Sequence, residues 1–286
     1  MNFVQRLYRI NELPALPEIV LQIQSLIGSD AADARKVARI IEQDVALSAK
    51  VLKVANSAYY GPAQKISSVQ HAITQIGFNE ICNIVTTVSL VNQFPNRSTI
   101  LNYHQFWRHS LTAAYLAQNI AKMSTVSFSS DELQYLFLAG LMHDVGILIY
   151  DQFFHSEFKS MVEDATAQGQ TFLQSELAHA GNLSHAWVGS ALLELWKLDI
   201  PIVSGVRFHH EPHKAPEKLK HIAAVAFLAE YVECSFRPDA FEGRIDEPPA
   251  EVWRAAGLLP DSLPLLYEST ELLVEKSDLM LATSGM

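Results

Sequence analysis

The 286 residues, 49% of them hydrophobic, carry a formal net charge of -10, enough length for one large domain or two ordinary ones and enough apolar surface to exclude global disorder. The acidic balance repels phosphate backbones at long range and no basic cluster counters it, so no nucleic-acid partner is expected. With only Cys82 and Cys234, no signal-like apolar core in the first twenty residues and no run of roughly 20 apolar residues later, the expectations are no disulfide framework, no membrane partner and a cytoplasmic location.

Apolar residues recur at spacings of three and four almost throughout, and alternating runs closed by hairpin turns are missing, which predicts an all-α fold. Leu13-Pro14-Ala15-Leu16-Pro17 sets an extended lead-in, since each proline disfavours helix in the residue before it, and a helix then runs to about Gly28. Asp33 is placed to cap a helix reaching about Gln43. Asp44 is placed to cap the next, whose stripe contains Leu47, Val51, Leu52 and Val54. The pattern breaks at Asn56-Ser57-Ala58-Tyr59-Tyr60-Gly61-Pro62. Ser67 with Gln70 fits a capping box, and Gly77 divides that helix from an apolar one ending near Phe94. Pro95-Asn96-Arg97-Ser98 is the best internal boundary.

A long helix from about Asn102 to Met123 follows, and Ser129 with Glu132 forms a second capping box, opening a helix that ends at His143-Asp144-Val145-Gly146. Further helices are expected near 151–168, 171–180, 184–197, 200–210 and 217–234, with Asp199 capping the fourth and Pro212 following it. From Arg237 onward a loop and a helical tail are expected. No repeat recurs at a fixed period, so two helical lobes are expected rather than a solenoid. They are an N-terminal bundle over 1–97 packed on a second lobe over 98–236, with an extension over 237–286.

Chemistry-bearing residues concentrate in the second lobe. His109 lies within the long helix, His143-Asp144 at a helix end, His185 at a helix start, and His209-His210 at another end before Glu211-Pro212. Imidazole nitrogens and carboxylate oxygens are the ligands of first-row metals, and an aspartate can bridge two ions because it offers two oxygens. Taken singly, each histidine is more often a hydrogen-bonded core residue than a metal ligand. Glu230 shares one helical stripe with Ala223, Ala226 and Phe227, so it either meets a partner inside or sits solvated at the rim. Tyr59 and Tyr60 beside Lys53 and Lys65 offer a weaker alternative, a nucleotide surface combining stacking and charge.

Phe106-Trp107-Arg108-His109-Ser110 and Ala139-Gly140-Leu141-Met142-His143-Asp144-Val145-Gly146 resemble the HD superfamily of metal-dependent phosphohydrolases. His185 followed by Gly189, and Arg207-Phe208-His209-His210-Glu211, are similar to the later ligands of its HD-GYP branch. The first lobe, through Ile41-Glu42-Gln43-Asp44-Val45-Ala46-Leu47-Ser48-Ala49-Lys50 and Ala55-Asn56-Ser57-Ala58-Tyr59-Tyr60-Gly61, resembles the HDOD domain, and Ser67 to Ile73 with Ile76-Gly77 continue the likeness. The resemblance covers about Leu13 to Glu233 and implies His109, His143, Asp144, His185, His209 and His210 as metal ligands, Glu230 replacing a closing aspartate. It implies one divalent ion or two, iron, manganese or similar, and a bacterial signalling role with a separate protein partner or small ligand.

Three departures from the HD-GYP pattern bear on turnover. Ile147 stands where a phosphate-gripping lysine is expected, Gln105 stands one turn before His109 in place of an acid, and no Gly-Tyr-Pro run follows His209-His210-Glu211. The expectation is therefore a regulatory protein with a metal site and little or no catalysis. The alternative is a metal-dependent phosphohydrolase of a nucleotide or other phosphoester, with Asp144 as the central catalytic residue.

Overall fold

The computed structural model describes residues 13–26, 34–96, 100–180, 183–236 and 245–284. Among these residues the chain is all-α, with helices joined by turns and three short 3₁₀ segments and no strand. The first lobe contains α1 (Glu18–Gln24), α2 (Ala34–Glu42), α3 (Val45–Ala55), α4 (Val69–Ile76) and α5 (Phe78–Val91). The second contains α6 (Tyr103–Met123), α7 (Ser130–Met142), α8 (Val145–Phe153), α9 (His155–Gln168), α10 (Phe172–Ala180), α11 (His185–Leu195), α12 (Ile200–Arg207) and α13 (Lys220–Phe236). Then come α14 (Ala250–Ala255) and α15 (Leu263–Ser284). Gly28, Asp33, Arg97, Ser98 and Arg237, at which boundaries or caps were expected, lie outside the described residues.

Local chemistry accounts for several helix starts. The Asp44 carboxylate accepts from the Leu47 N–H at 2.9 Å to open α3, and Ser129 with Glu132 forms the reciprocal box that opens α7. The α4 cap is Ser68, not Ser67, because the Ser68 hydroxyl sits on extended backbone and accepts from the His71 N–H at 3.1 Å. Asp199 occupies the cap position of α12, but its side chain makes no capping hydrogen bond. Gly77 passes between α4 and α5 at φ 95°, a conformation that disfavours a side chain. Asn56 closes the loop after α3: its amide donates to the carbonyls of Leu52 and Ile66 and its oxygen accepts from the Ile66 N–H, each at 2.8 Å.

The largest departure from expectation is α8, which begins at Val145 directly after the His143-Asp144 pair. Gly146 does not break the helix. It is needed because a Cβ there would run into the His185 backbone, where the first turns of α8 and α11 meet. The expected 151–168 helix is split at Phe154, whose φ of -134° lies outside helical space.

One apolar core runs from Val20 and Ile23 in α1 through Val85 and Val91 in α5, Trp107 in α6 and Ile147 in α8 to Met280 and Leu281 in α15. Phe94 and Leu101, either side of the proline boundary, both belong to it. A smaller core joins Leu116 and Ile120 of α6 to Val225 and Val232 of α13, Trp253 of α14 and Leu266 of α15. The stretch Ser130–Phe153 has the length and hydropathy of a membrane span, but 89% of its apolar window is buried within the fold. Its composition is that of a core element, built from α7 and α8.

Candidate metal centre

Six helices bring the expected residues together. His109 projects from the middle of α6, His143 and Asp144 form the joint between α7 and α8, and His185 is the first residue of α11. His209 and His210 follow the end of α12, and Glu230 comes from α13. All are buried except His210, which keeps a narrow exposed edge. Glu230 is 1% exposed, so the solvated-rim alternative for it falls.

Asp144 stands between two groups of imidazoles. Its Oδ2 lies 3.3 Å from His109 Nε2 and 3.2 Å from His143 Nε2. Its Oδ1 makes no hydrogen bond and lies 3.5 Å from His185 Nε2 and 3.7 Å from His209 Nε2. Within the first group, His109 Nε2 and His143 Nε2 are 3.0 Å apart. Within the second, His185 Nε2 is 3.3 Å from His209 Nε2 and 2.9 Å from His210 Nε2. Glu230 Oε2 is 3.9 Å from His209 Nε2 and 3.7 Å from His210 Nδ1.

The outer nitrogen of each of four imidazoles faces an acceptor, which decides its tautomer. His143 Nδ1 donates to the Gly140 carbonyl at 2.7 Å, and His209 Nδ1 to the Val206 carbonyl at 2.6 Å. His109 Nδ1 meets Glu233 Oε2 at 2.5 Å, and His185 Nδ1 meets Glu176 Oε2 at 2.8 Å. With Nδ1 carrying the proton, each ring, when neutral, turns a bare Nε2 lone pair inward. Four lone pairs then converge on one aspartate, an arrangement that repels itself unless a proton or a cation stands among them. Metal–nitrogen bonds of about 2.0–2.1 Å place neighbouring ligands about 2.9–3.4 Å apart for octahedral to tetrahedral angles. The nitrogen separations within each group fall in that interval. His109, His143 and Asp144 thus form one group able to hold an ion, and His185, His209 and His210 another.

The electrostatics follow from burial and crowding. Burial resists charge on His109, yet Glu233 and Asp144 outweigh it and hold its pKa well above the ordinary imidazole value. His209 and His210 are driven well below that value by burial and by neighbouring imidazoles. Burial would raise the Asp144 carboxyl, but His143, His109 and His185 overcome it and keep the group ionised.

Two carboxylates that face ligand-candidate imidazoles escaped the sequence reading. Glu233 lies three residues beyond Glu230 on the same apolar helix, a spacing that could have marked it. Glu176, on α10, carried no such signal. The two residues that depart from the HD-GYP pattern near His109 and Asp144 lie away from the cluster. Ile147 is fully buried in apolar core and Gln105 is exposed, so neither side chain belongs to the cluster. The tyrosines expected as a possible nucleotide surface are otherwise engaged: Tyr60 donates to Glu80 at 2.5 Å, and Tyr59 packs edge-on to Tyr60.

Residues 13–212 match the family model of the HDOD domain. The chain belongs to the HDOD family. Its fold is that of an HDOD domain protein of unknown function from Geobacter sulfurreducens, at 27% identity and TM-score 0.81 over 98% of this chain and 95% of that one. A proposed signal transduction protein from Marinobacter aquaeolei shares the fold at 21% identity and TM-score 0.78, covering 99% of this chain and 64% of the other. A proposed phosphohydrolase from Shewanella amazonensis does so at 21% identity and TM-score 0.73, covering 97% of each. An uncharacterized protein of Treponema pallidum is 28% identical over 224 residues, 77% of this HDOD chain but only 42% of that protein.

Proposed function

We propose that this HDOD protein is a bacterial signal-transduction module whose second lobe binds two divalent ions, iron, manganese or similar, and that it turns over little or no phosphoester. The convergence of four Nε2 lone pairs on the two oxygens of Asp144 carries the metal reading. His109, His143 and Asp144 would hold one ion, and His185, His209, His210 and the other Asp144 oxygen the second, with Glu230 beside His209 and His210. Charge agrees with that number. Four buried carboxylates, Asp144, Glu176, Glu230 and Glu233, face these imidazoles, a set that when fully ionised would balance two divalent cations.

Two observations favour regulation over turnover. The position suited to a phosphate-gripping lysine holds Ile147, at 0% exposure, and the cluster side chains are buried apart from a narrow edge of His210. The partner would be a separate signalling protein or a small ligand. The other reading, a phosphohydrolase, draws on the shared Asp144, since paired ions supply Lewis acidity and an activated water when bound. Incubating metal-loaded protein with a generic phosphodiester separates the two. The regulatory reading expects no turnover above the Asp144→Ala background, whereas robust turnover abolished by Asp144→Ala would establish the hydrolase.

A further inference from the structure

The four inward-facing imidazoles are held from behind in two different ways. His143 and His209 are fixed by backbone carbonyls three residues earlier, Gly140 and Val206, which any residue there would supply. His109 and His185 are fixed by carboxylates from other helices, Glu233 on α13 and Glu176 on α10. Each half of the cluster therefore contains one carbonyl-backed and one carboxylate-backed ring. Glu233 is 1% exposed and Glu176 0%. Glu176 binds twice, accepting from the His185 backbone N–H at 2.5 Å and from its ring at 2.8 Å, so the start of α11 and the orientation of the ring are set together.

Burying an ionised carboxylate in a helical core is costly unless a compensating cation stands near. A ring that binds an ion through Nε2 is neutral and compensates poorly by itself. A carboxylate behind it does two things: it locks the proton on Nδ1, and it raises the basicity of the far nitrogen toward a cation bound there. Asp144 and Glu230 meet the cluster directly, whereas Glu233 and Glu176 reach it through a ring.

We infer that Glu233 and Glu176 are positioning residues for the ion pair, one behind each half-site, each holding a ligand imidazole in its metal-binding tautomer and supplying negative charge that the ions require. This rests on the two-ion reading above. The roles are separable. Glu233 acts on the half-site of His109 and His143, and Glu176 on that of His185, His209 and His210.

Glu233→Gln and Glu176→Gln retain an acceptor of nearly the same shape and delete only the charge. Manganese or zinc alone is titrated into the full metal-free chain against a competing chelator. Each variant is expected to keep the wild-type circular dichroism and to lose about tenfold to hundredfold in affinity for one of its two ions, while the double variant is weakened at both. Wild-type affinity at both sites in both variants overturns the inference alone. A wild-type chain that binds no ion overturns the two-ion reading with it, so the two failures are distinguishable. If a substitution prevents folding, the zinc-loaded wild type still decides by nitrogen-15-edited NMR. The Nδ1 protons of His109 and His185 are expected well downfield of those of His143 and His209, and four equivalent shifts would overturn the assignment.

Discussion

Two buried polar clusters in this HDOD protein solve the problem of internal charge in opposite ways. Between the lobes, the Lys276 ammonium on α15 lies 2.9 Å from Glu80 on α5 and 3.7 Å from the centre of the Tyr115 ring. The hydroxyls of Tyr60 and Tyr115 donate to the same Glu80 oxygen. That cluster contains its own cation. In the second lobe, carboxylates converge on imidazoles, and the inward nitrogens of those imidazoles approach one another to 3.0 Å and 2.9 Å. The first cluster is complete as a structural clasp. The second offers two groups of side chains that could hold a cation, which is why the functional reading is placed there and not at the tyrosines.

The sharpest way to break the comparison is Asp144→Ala, which removes the one carboxylate that both half-sites share. Metal content measured after gel filtration is expected to fall from two ions to less than one, with no effect on the Glu80–Lys276 clasp. Next in size is Gly146→Ala. Its methyl group would enter the His185 backbone where α8 meets α11, and urea unfolding of the metal-free chain is expected to show a loss of about 3 kcal/mol. Lys276→Met then tests the self-neutralised cluster. It strands Glu80 among hydroxyl donors and is expected to cost about 2–3 kcal/mol in the same assay while leaving metal affinity unchanged, and adding Glu80→Gln should recover most of the loss.

The smallest effect is a pH dependence. The raised pKa of His109 means that its half-site carries a proton that an incoming ion must displace. Calorimetry in buffers of different ionisation enthalpy is expected to show release of about one proton per chain at neutral pH, and affinity that rises with pH. The depressed groups act on the fold itself. Below the ordinary imidazole value an unfolded His209 or His210 takes up a proton that the folded cluster refuses, so metal-free stability is expected to fall as pH drops through that range.

The all-helical fold was legible because its caps and apolar spacing are local, as Asp44, Gly77 and Ser129 show. The histidines were legible because their order along the chain resembles a known pattern. What the sequence concealed depends on contacts between distant segments. His109 and its holder Glu233 are 124 residues apart, and Glu176 on α10 meets His185 at the start of a different helix, α11. Gly146 reads as a helix breaker until the His185 backbone packed against it is seen. Tyr60 beside nearby lysines suggested a binding surface, yet its true partners, Glu80 and Lys276, come from other helices.

The central claim is that the His143-Asp144 joint gathers a two-ion centre. Elemental analysis of the chain purified without added metal or chelator tests it most directly. Close to two first-row divalent ions per chain is the predicted result. A folded protein that holds none, and takes up none when iron or manganese is supplied, would contradict the account.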